Sequence, residues 1–483
     1  MQVFRDRVHL PVMEISDINA GVKAAYETAA AVFQRNCVDF PPMMIQAGGR
    51  YPEVWTRDCA YNTYMAGNLV CSEIAYNTLM RPLQLGGGRM ISGLTDPRQP
   101  EKYDQYWDKM LWTVAAYDYF QINGNFDFLR QAYEASEATL LELESKHMHP
   151  KFQLLQGPAF LCDSIGSLPA DICSPELVRE PYSNVMDYDL PHRIMTLSSN
   201  AILVGAYRCM AGMARLLVTG RQTEYAEKAQ RLSNQINRLF WNEKTGLYDF
   251  FIYGYPPKEG LSCQAQESAG LAFAILFDVA DEAKARSIFQ SVHTEPWGIT
   301  LSWPSFDNHY IGNAKFYQEA TGYDTPQNVA IWPNVNGLWA RACAMRGNSA
   351  GFCAELNRLT RLIERSCGTI YEIYHALTGN PGLKYHETKP DQTWSATAYL
   401  NMILCGVLGL RMTQDEVRFS PYLPAGWGDT TFSNVPMKGK RLDVRLTGEG
   451  SLVKEFRVDG CIATDNAVPA DGKDHQIVIT LER

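Results

Sequence analysis

The chain has 483 residues, of which 46% are hydrophobic and 20% are charged, and its formal net charge is −9 at pH 7. This length and hydrophobic content allow a large buried core. The net charge is negative, and the sequence contains no basic patch that could bind the phosphate backbone of a nucleic acid. We therefore expect no nucleic-acid partner. The 25 Tyr and 10 Trp residues serve either a large core or stacking surfaces for sugar rings.

The 12 cysteines include no Cys-x-x-Cys pair and no zinc-type spacing. Cys209, Cys343 and Cys405 lie in apolar helical stretches, which indicates small buried residues in a reducing compartment and not a disulfide framework. Residues 1–10 carry charges and lack the apolar run of a signal peptide, and no apolar stretch reaches the roughly 18 to 20 residues of a membrane span. The sequence predicts a cytoplasmic protein without a membrane partner, and a secreted chain trimmed of its signal peptide has the same appearance.

Helical patterns follow one another in pairs. The first helix of each pair is apolar on nearly every side, and the second is usually amphipathic. The predicted pairs are 59–70 with 72–82, 102–121 with 126–146, 196–217 with 222–240, 266–278 with 282–291, 328–346 with 349–366, and 393–409 with 17–34, which closes the ring. Since a helix that is apolar on every side requires burial on every side, six inner and six outer helices predict a mainly α fold, an (α/α)6 barrel. An α-solenoid is the alternative, but its repeat is shorter and more regular.

The character of the chain changes after Met412. Alternating apolar and polar residues appear in runs such as 442–446 and 476–481, with glycines between the runs. These runs predict a small C-terminal β module that resembles a sandwich. The sequence therefore divides into a barrel domain at 1–411, which carries the candidate site, and a β module at 412–483.

Unusual residues are concentrated just before the predicted inner helices. If these helices all run in the same direction, the segments meet at one rim of the barrel, where the helix N-termini point into the site. The first segment contains Trp55, Arg57 and Asp58, which offer an aromatic platform, a fork of donors and an acceptor carboxylate to sugar hydroxyls. A buried Arg–Asp ion pair with Asp58 as helix N-cap explains the same residues equally well. Trp107, in the helix predicted at 102–121, is a further aromatic candidate for substrate binding.

The long loop at 150–195 contains Asp163 in a Gly-rich, largely apolar run. An apolar setting disfavours the charged form of a carboxyl group, as a general acid requires. A turn aspartate that bonds its own backbone is the simpler explanation. Asp171 is a rival acid in the same loop.

Two later segments complete the rim. Trp332 and Asn336 open the helix predicted at 328–346 and are candidates for hydroxyl recognition, although helix capping accounts for the neighbouring Asn328. The connection before the last inner helix is the richest, because it brings Glu372, Tyr374, Glu387 and Trp394 together. A solvated surface role is the general explanation for a glutamate, but Glu372 stands between Tyr371 and Ile373, where this role is less fitting.

These motifs resemble those of a known group of enzymes. Trp55-Thr56-Arg57-Asp58 resembles the glycone-binding motif of glucoamylases. The stretch Glu372-Ile-Tyr…Gly379…Thr393-Trp394-Ser395-Ala396 resembles their base-carrying segment, and similar arrangements close the barrel of trehalases and processing α-glucosidases. Trp332-Pro333-Asn334…Asn336 resembles the Val-Trp-Pro-x-x-Asn element of these families. The likeness covers residues 50–410 in order, and the β module resembles the cap of related phosphorylases and rhamnosidases.

The resemblance implies an inverting, exo-acting glycoside hydrolase for a short substrate such as an α-glucoside, without a metal or an organic cofactor. Its general base is Glu372, and its general acid is Asp163. In this resemblance, Tyr374 orients the base and Glu387 positions water. The other residues bind hydroxyl groups or form the walls of the pocket. The complete set of predicted substrate-binding residues is Trp55, Arg57, Asp58, Trp107, Trp332, Asn336, Tyr374, Glu387 and Trp394. The acid loop lacks the Asp-Tyr-Pro-Arg or Trp-Asp-Phe-Ser sequences of the relatives.

Three alternatives remain on sequence grounds. A sugar phosphorylase of the same fold uses phosphate in place of water and needs no base. A sugar epimerase on this fold uses paired histidines, and His375 and His386 are the two histidines near the site. A glycan-binding protein without catalysis would keep its ligand when both carboxyl groups are changed.

Overall fold

The computed structural model describes residues 8–93, 104–162, 168–169, 171–172, 185, 188–306, 322–324, 327–384, 386–437 and 440–482. Within these residues, the α-helices are α1 (Ala20–Arg35), α2 (Thr56–Asn62, continued through a π turn at Thr63–Gly67 to Asn68–Val70), α3 (Ser72–Leu85), α4 (Lys109–Asn123), α5 (Phe126–His147), α6 (Leu197–Leu216), α7 (Gln222–Leu239), α8 (Ser268–Leu276), α9 (Glu282–Ser291), α10 (Pro333–Met345), α11 (Ser349–Arg365) and α12 (Thr393–Asn401, continued as a π turn at Met402–Val407). They form five consecutive pairs, from α2 with α3 to α10 with α11, and a sixth pair that joins the last helix, α12, to the first, α1.

The even-numbered helices form a closed inner ring. Each packs on the next, from α2 through α4, α6, α8 and α10 to α12, and α12 packs back on α2. All nine residues of α8 and all nine of α12 are buried, as their apolar sequences require. The outer helix α11 instead buries one stripe that includes Phe352, Leu356, Leu359 and Ile363. The prediction of an (α/α)6 barrel is confirmed.

Two inner helices begin later than the sequence pattern indicates. Lys109 opens α4 after a 3₁₀ turn at Tyr106–Asp108, and Pro333 opens α10 after a short strand. Proline fits the first helical position because its fixed φ suits the helix and its missing N–H has no partner there in any case. The residues displaced from both helices lie at the rim of the barrel.

Strands of two or three residues lie between the helices, and the C-terminal module combines such short strands with longer ones. They are β1 (Val12–Glu14), β2 (Cys37–Asp39), β3 (Met43–Ile45), β4 (Ile194–Thr196), β5 (Trp241–Asn242), β6 (Leu247–Tyr248), β7 (Phe251–Tyr253), β8 (Ser262–Cys263), β9 (Gln266–Glu267), β10 (Ser302–Trp303), β11 (Ala330–Ile331), β12 (Tyr374–His375), β13 (Leu410–Met412), β14 (Glu416–Phe419), β15 (Thr430–Met437), β16 (Lys440–Gly448), β17 (Leu452–Val458), β18 (Cys461–Ile462), β19 (Ala467–Pro469) and β20 (His475–Glu482).

The C-terminal module contains a six-stranded sheet in the order β1-β15-β16-β20-β17-β18 and a three-stranded sheet in the order β13-β14-β19. Leu442, Val444 and Leu446 alternate with exposed residues along β16 and are buried, as the predicted period of two requires. Phe419 of the small sheet packs against Phe456 of the large one, with ring centroids 5.9 Å apart. The predicted β module is confirmed.

The edge strand β1 comes from the opposite end of the chain. It pairs antiparallel with β15, so that Val12 lies opposite Ser433. Residues 12–14, which fall in the predicted barrel domain at 1–411, therefore contribute to the sheet of the module at 412–483. Only three residues take part, which is too short for an alternating pattern to be recognised.

Among the described residues, no helix combines the length and the apolar content that a bilayer crossing needs.

Candidate active site

The N-terminal ends of the inner helices meet at one rim, and polar contacts join four of them. In α2, Arg57 lies beside Asp108 at the start of α4, with Nε and Oδ2 3.9 Å apart. The same guanidinium donates through Nη1 to Phe160 O at 3.0 Å, and Phe160 N donates to Ser198 Oγ of α6 at 2.9 Å. Ser198 N in turn donates to Glu267 Oε2, just before α8, at 3.0 Å.

Aromatic residues close the rest of the rim. Trp332 precedes α10 and Trp394 lies in the first turn of α12, and their ring centroids are 5.8 Å apart. Arg57 Cζ lies 5.7 Å from the centroid of the Trp394 ring, within the range of a cation–π contact. The first turns of the inner helices therefore surround one mouth of the barrel, as the sequence analysis predicts.

Glu372 lies in the connection between α11 and α12. Its backbone N donates to Lys389 O at 2.9 Å, and the next residue, Ile373, donates its N to Thr388 Oγ1 at 2.8 Å. These bonds tie the two arms of the connection together. The residue is 7% exposed, and its carboxyl group accepts a hydrogen bond from the hydroxyl of Tyr51 at 3.1 Å.

Tyr51 links this carboxyl group to the first motif. Its ring lies 5.4 Å from that of Trp55, the residue that precedes α2. Arg57 and Asp58 follow in the first turn, where they are 6% and 2% exposed. The structure thus brings Glu372, Trp55, Arg57 and Asp58 to one mouth, and Tyr51 is a functional candidate that sequence reasoning missed.

Three tryptophans at the rim carry buried indole N–H groups. For Trp55, Trp107 and Trp394, the Nε1 atom has no hydrogen-bond acceptor among the described residues. A buried donor that loses its bond to water costs about 1–3 kcal/mol unless another acceptor replaces it. Trp107 is fully buried, and its ring centroid lies 5.7 Å from that of His192.

Three other candidates have partners away from this group. The hydroxyl of Tyr374 accepts from Tyr371 N at 3.0 Å and bonds Ser366 Oγ at 2.9 Å, and burial raises its pKa to about 12. Asn336 donates through Nδ2 to Glu355 Oε2 of α11 at 2.6 Å. The Glu387 side chain is 87% exposed and lies 3.3 Å from Lys389 Nζ.

Asp163 lies outside the described residues. Its rival Asp171 is described, and its Oδ2 accepts from Tyr253 OH at 3.0 Å and pairs with Lys258 Nζ at 2.9 Å. Asp171 thus has a cationic partner at its carboxyl group. The choice between Asp163 and Asp171 as the acid stays a prediction.

Glu267 is a buried carboxyl group that sequence reasoning missed. It ends β9 and is 3% exposed, and burial raises its pKa from the ordinary 4.5 to about 8. Gly270 lies one turn later, where a Cβ atom would stand 2.5 Å from Glu267 Oε2, so a larger residue would have to displace the carboxyl group. The sequence does contain a signal for this residue. Glu267 stands directly before an all-apolar helix, and the other residues of the rim also stand just before inner helices.

The two histidines of the epimerase alternative line an open cleft of about 1260 Å³ on the connection that carries Glu372. His375 Nδ1 accepts from Leu377 N at 3.1 Å, so this nitrogen is engaged by the backbone of its own turn. Burial lowers the pKa of His386. Within the described residues, no group of three or more His, Cys, Asp or Glu side chains is arranged to hold a metal ion.

Comparisons with protein families give two matches. Residues 178–395 match the family described as Mannosylglycerate hydrolase MGH1-like glycoside hydrolase domain, a range that includes Glu372 and Trp394 but begins after Asp163. Residues 410–456 match the family described as Glycosyl hydrolase family 65, C-terminal domain. No curated protein sequence matches the chain.

Solved structures share the fold at low sequence identity. A sialidase is 13% identical with a TM-score of 0.67, and the match covers 96% of this chain and 41% of the sialidase. A family 78 rhamnosidase of Bacillus sp. GL1 is 16% identical with a TM-score of 0.59, over 98% of this chain and 44% of the rhamnosidase. The family 63 mannosylglycerate hydrolase of Thermus thermophilus, in complex with Tris and D-glycerate, is 18% identical with a TM-score of 0.58, over 78% and 100% of the two chains. The chain thus spans less than half the length of the first two proteins.

Proposed function

Because the chain carries a glycoside hydrolase domain on an (α/α)6 barrel, we propose that it hydrolyses a short glycoside from its non-reducing end with inversion at the anomeric carbon. The position of Glu372 carries this proposal. It is a largely buried carboxyl group at the mouth of the barrel, held by Tyr51 and tied to the mouth through Trp55. A general base requires a fixed carboxylate that faces the substrate and a water molecule.

In the proposed reaction, Glu372 removes a proton from a water molecule that attacks the anomeric carbon. Asp163 donates its proton to the glycosidic oxygen, which leaves with the aglycone. Inversion requires that the two carboxyl groups stand roughly 6.5–9.5 Å apart, so that the water molecule fits between Glu372 and the sugar. The new bond therefore forms on the face opposite the one that breaks.

Substrate binding rests on the rim residues. Arg57 and Asp58 hold hydroxyl groups of the terminal sugar, and Trp55, Trp107, Trp332 and Trp394 form the walls. The indole N–H groups of Trp55, Trp107 and Trp394 support this assignment, since a ligand rich in hydroxyl oxygens supplies acceptors to such donors. An α-glucoside is the first substrate to test, and mannosylglycerate and rhamnosides follow because two proteins of this fold act on them by name.

The test is hydrolysis of a panel of α-glucosides, mannosides including mannosylglycerate, and rhamnosides, in buffer without phosphate. Proton NMR at early times identifies the anomer that is released. We expect the anomer opposite to that of the substrate. Release of the same anomer contradicts inversion, and turnover that appears only with added phosphate replaces the hydrolase by a phosphorylase.

Tyr51→Phe tests the environment of the base. The phenol donates to Glu372 Oε2, and a hydrogen bond to a charged group contributes about 1.5–3 kcal/mol, so we expect kcat/KM to fall about tenfold or more. Because the donor favours the carboxylate, its loss should also move the acidic limb of the pH–rate profile to higher pH. Tyr207→Phe is the matched control, since its hydroxyl donates to Glu144 Oε1 at 2.7 Å between α5 and α6. An acidic limb that moves equally in both variants rules out a specific role for Tyr51.

A further inference from the structure

A second cavity lies at the opposite end of the barrel. It encloses about 750 Å³ between the C-terminal ends of inner helices and the β module, within the range of about 300–1,000 Å³ that is common for small-molecule sites. The helix α2 runs from Thr56 to Val70, so at about 1.5 Å per residue the two ends of the barrel lie about 20 Å apart. Residues that line the cavity include Tyr64, Asp118, Arg341, Asn401, Cys405 and Tyr422.

Two irregular helical turns face this cavity. The π turns at Thr63–Gly67 of α2 and Met402–Val407 of α12 both contribute lining residues. Such turns are rare and are frequent at functional sites. Arg341 Nη1 donates to Tyr64 O at 3.2 Å, and Asn401 Nδ2 donates to Met65 O at 2.6 Å, so polar side chains of the cavity fix the first of the two turns.

Two opposite charges line the cavity without joining. Arg341 Cζ lies 3.9 Å from the centroid of the Tyr64 ring, and Asp118 Oδ2 accepts from Asn68 Nδ2 at 2.8 Å. Within the described part of the chain, Asp118 and Arg341 form no ion pair within 4.0 Å, although each group influences the pKa of the other. Both groups are half-buried, and charges that lose part of their hydration are normally paired, because desolvation is costly. Groups that share a cavity at a distance can instead be bridged by a molecule that both accepts and donates hydrogen bonds.

The charged residues that line the cavity indicate which class of molecule it can bind. A simple anion would be repelled by Asp118, and a simple cation would be repelled by Arg341. Arg411 also lines the cavity, but its side chain is exposed to solvent, where water and salt screen a charge more strongly than at a buried position. Hydroxyl groups satisfy both charges at once, because their oxygen accepts from the guanidinium and their proton is donated to the carboxylate. We propose that this cavity binds a small neutral polyhydroxy compound, of the size of a polyol or a monosaccharide, at a site separate from the catalytic mouth.

Calorimetric titration tests the site with glycerol, myo-inositol, glucose and mannose as probes, and with inorganic phosphate as the anionic comparison. We expect saturable binding of at least one neutral probe. Asp118→Asn and Arg341→Lys should each weaken that binding at least tenfold, while Trp394→Phe at the opposite mouth should leave it unchanged. Circular dichroism and thermal unfolding establish that each variant is folded.

Cys405 reports the location of the bound probe independently. Its thiol lines the cavity, whereas Cys367 is an exposed thiol on another part of the surface. The neutral probe should slow the modification of Cys405 by methyl methanethiosulfonate at least several-fold, as followed by peptide mass mapping, and should leave Cys367 unchanged. Binding that is lost only in Trp394→Phe, binding of phosphate alone, or no binding of any probe overturns the proposal, and none of these outcomes depends on whether the enzyme hydrolyses a glycoside.

Discussion

Replacing Glu372 with glutamine is expected to lower kcat by about 10²- to 10⁴-fold, the range that general acid–base catalysis contributes. The amide keeps the size of the side chain and still accepts a hydrogen bond from Tyr51, but it cannot take a proton from water. Because the walls of the pocket are retained, KM should change little. The measurement is initial-rate kinetics on the best substrate of the panel, together with the melting temperature of the variant.

The matched control is Glu364→Gln, the same change at an exposed glutamate of α11. It should leave kcat within about twofold, since surface substitutions away from a site have small effects. Full activity of Glu372→Gln would remove Glu372 as the base and would favour a phosphorylase, in which phosphate replaces water. Equal losses in both variants would indicate damage to the fold instead of lost proton transfer.

Replacing Glu267 with glutamine is expected to flatten the pH dependence of stability. The folded-state pKa of Glu267 is about 8 and the ordinary value is 4.5, so the folded chain holds a proton that the unfolded chain releases between these values. The contribution is therefore fully present below about pH 4.5 and is lost as the pH rises through about 8. A single group changes the free energy of unfolding by at most about 1.4 kcal/mol per pH unit in this window.

The experiment is urea denaturation of the wild type and Glu267→Gln at several values between pH 5 and pH 8. The amide resembles the protonated carboxyl group and keeps an acceptor for Ser198 N. The free energy of unfolding of the wild type should fall with pH more steeply than that of the variant, by up to about 1.4 kcal/mol per pH unit. Glu243→Gln, an exposed control, should follow the wild type. Parallel curves for the wild type and Glu267→Gln would show that the proton is not held in the folded state.

The order and pairing of the helices were determined by the sequence. All-round apolar helices such as 266–278 and 393–409 alternate with helices that have one apolar stripe, and each kind is compatible with only one layer of the barrel. The sequence also determined the β module, because the alternation of apolar and polar residues in 442–446 continues over most of a strand. Such patterns depend only on near neighbours in the chain and on the partition between core and solvent.

The candidate site was determined only in part. Glu372 and Glu387 belong to the same connection, and the sequence predicts both as carboxylates of the site. Glu372 is 7% exposed, however, whereas the side chain of Glu387 is 87% exposed. An irregular connection has no fixed period, so its sequence does not indicate which side chain faces the barrel. The family match supports the glycoside hydrolase domain, while the roles of the individual residues stay predictions.

Tertiary structure alone decided the contacts between distant segments. Tyr51 reaches Glu372 across 321 positions, Ser198 reaches Glu267 across 69, and β1 reaches β15 from the other end of the chain. No local pattern predicts such pairs. The first two depend on the closed ring, which places the first turns of all inner helices at one mouth, and the third depends on how the N-terminal segment meets the sheet of the β module. The sequence thus determined which segments become inner helices, outer helices and sheet, through the periodicity of apolar side chains. The closed barrel decided which polar side chains meet, because only the completed ring fixes their distances and removes them from water.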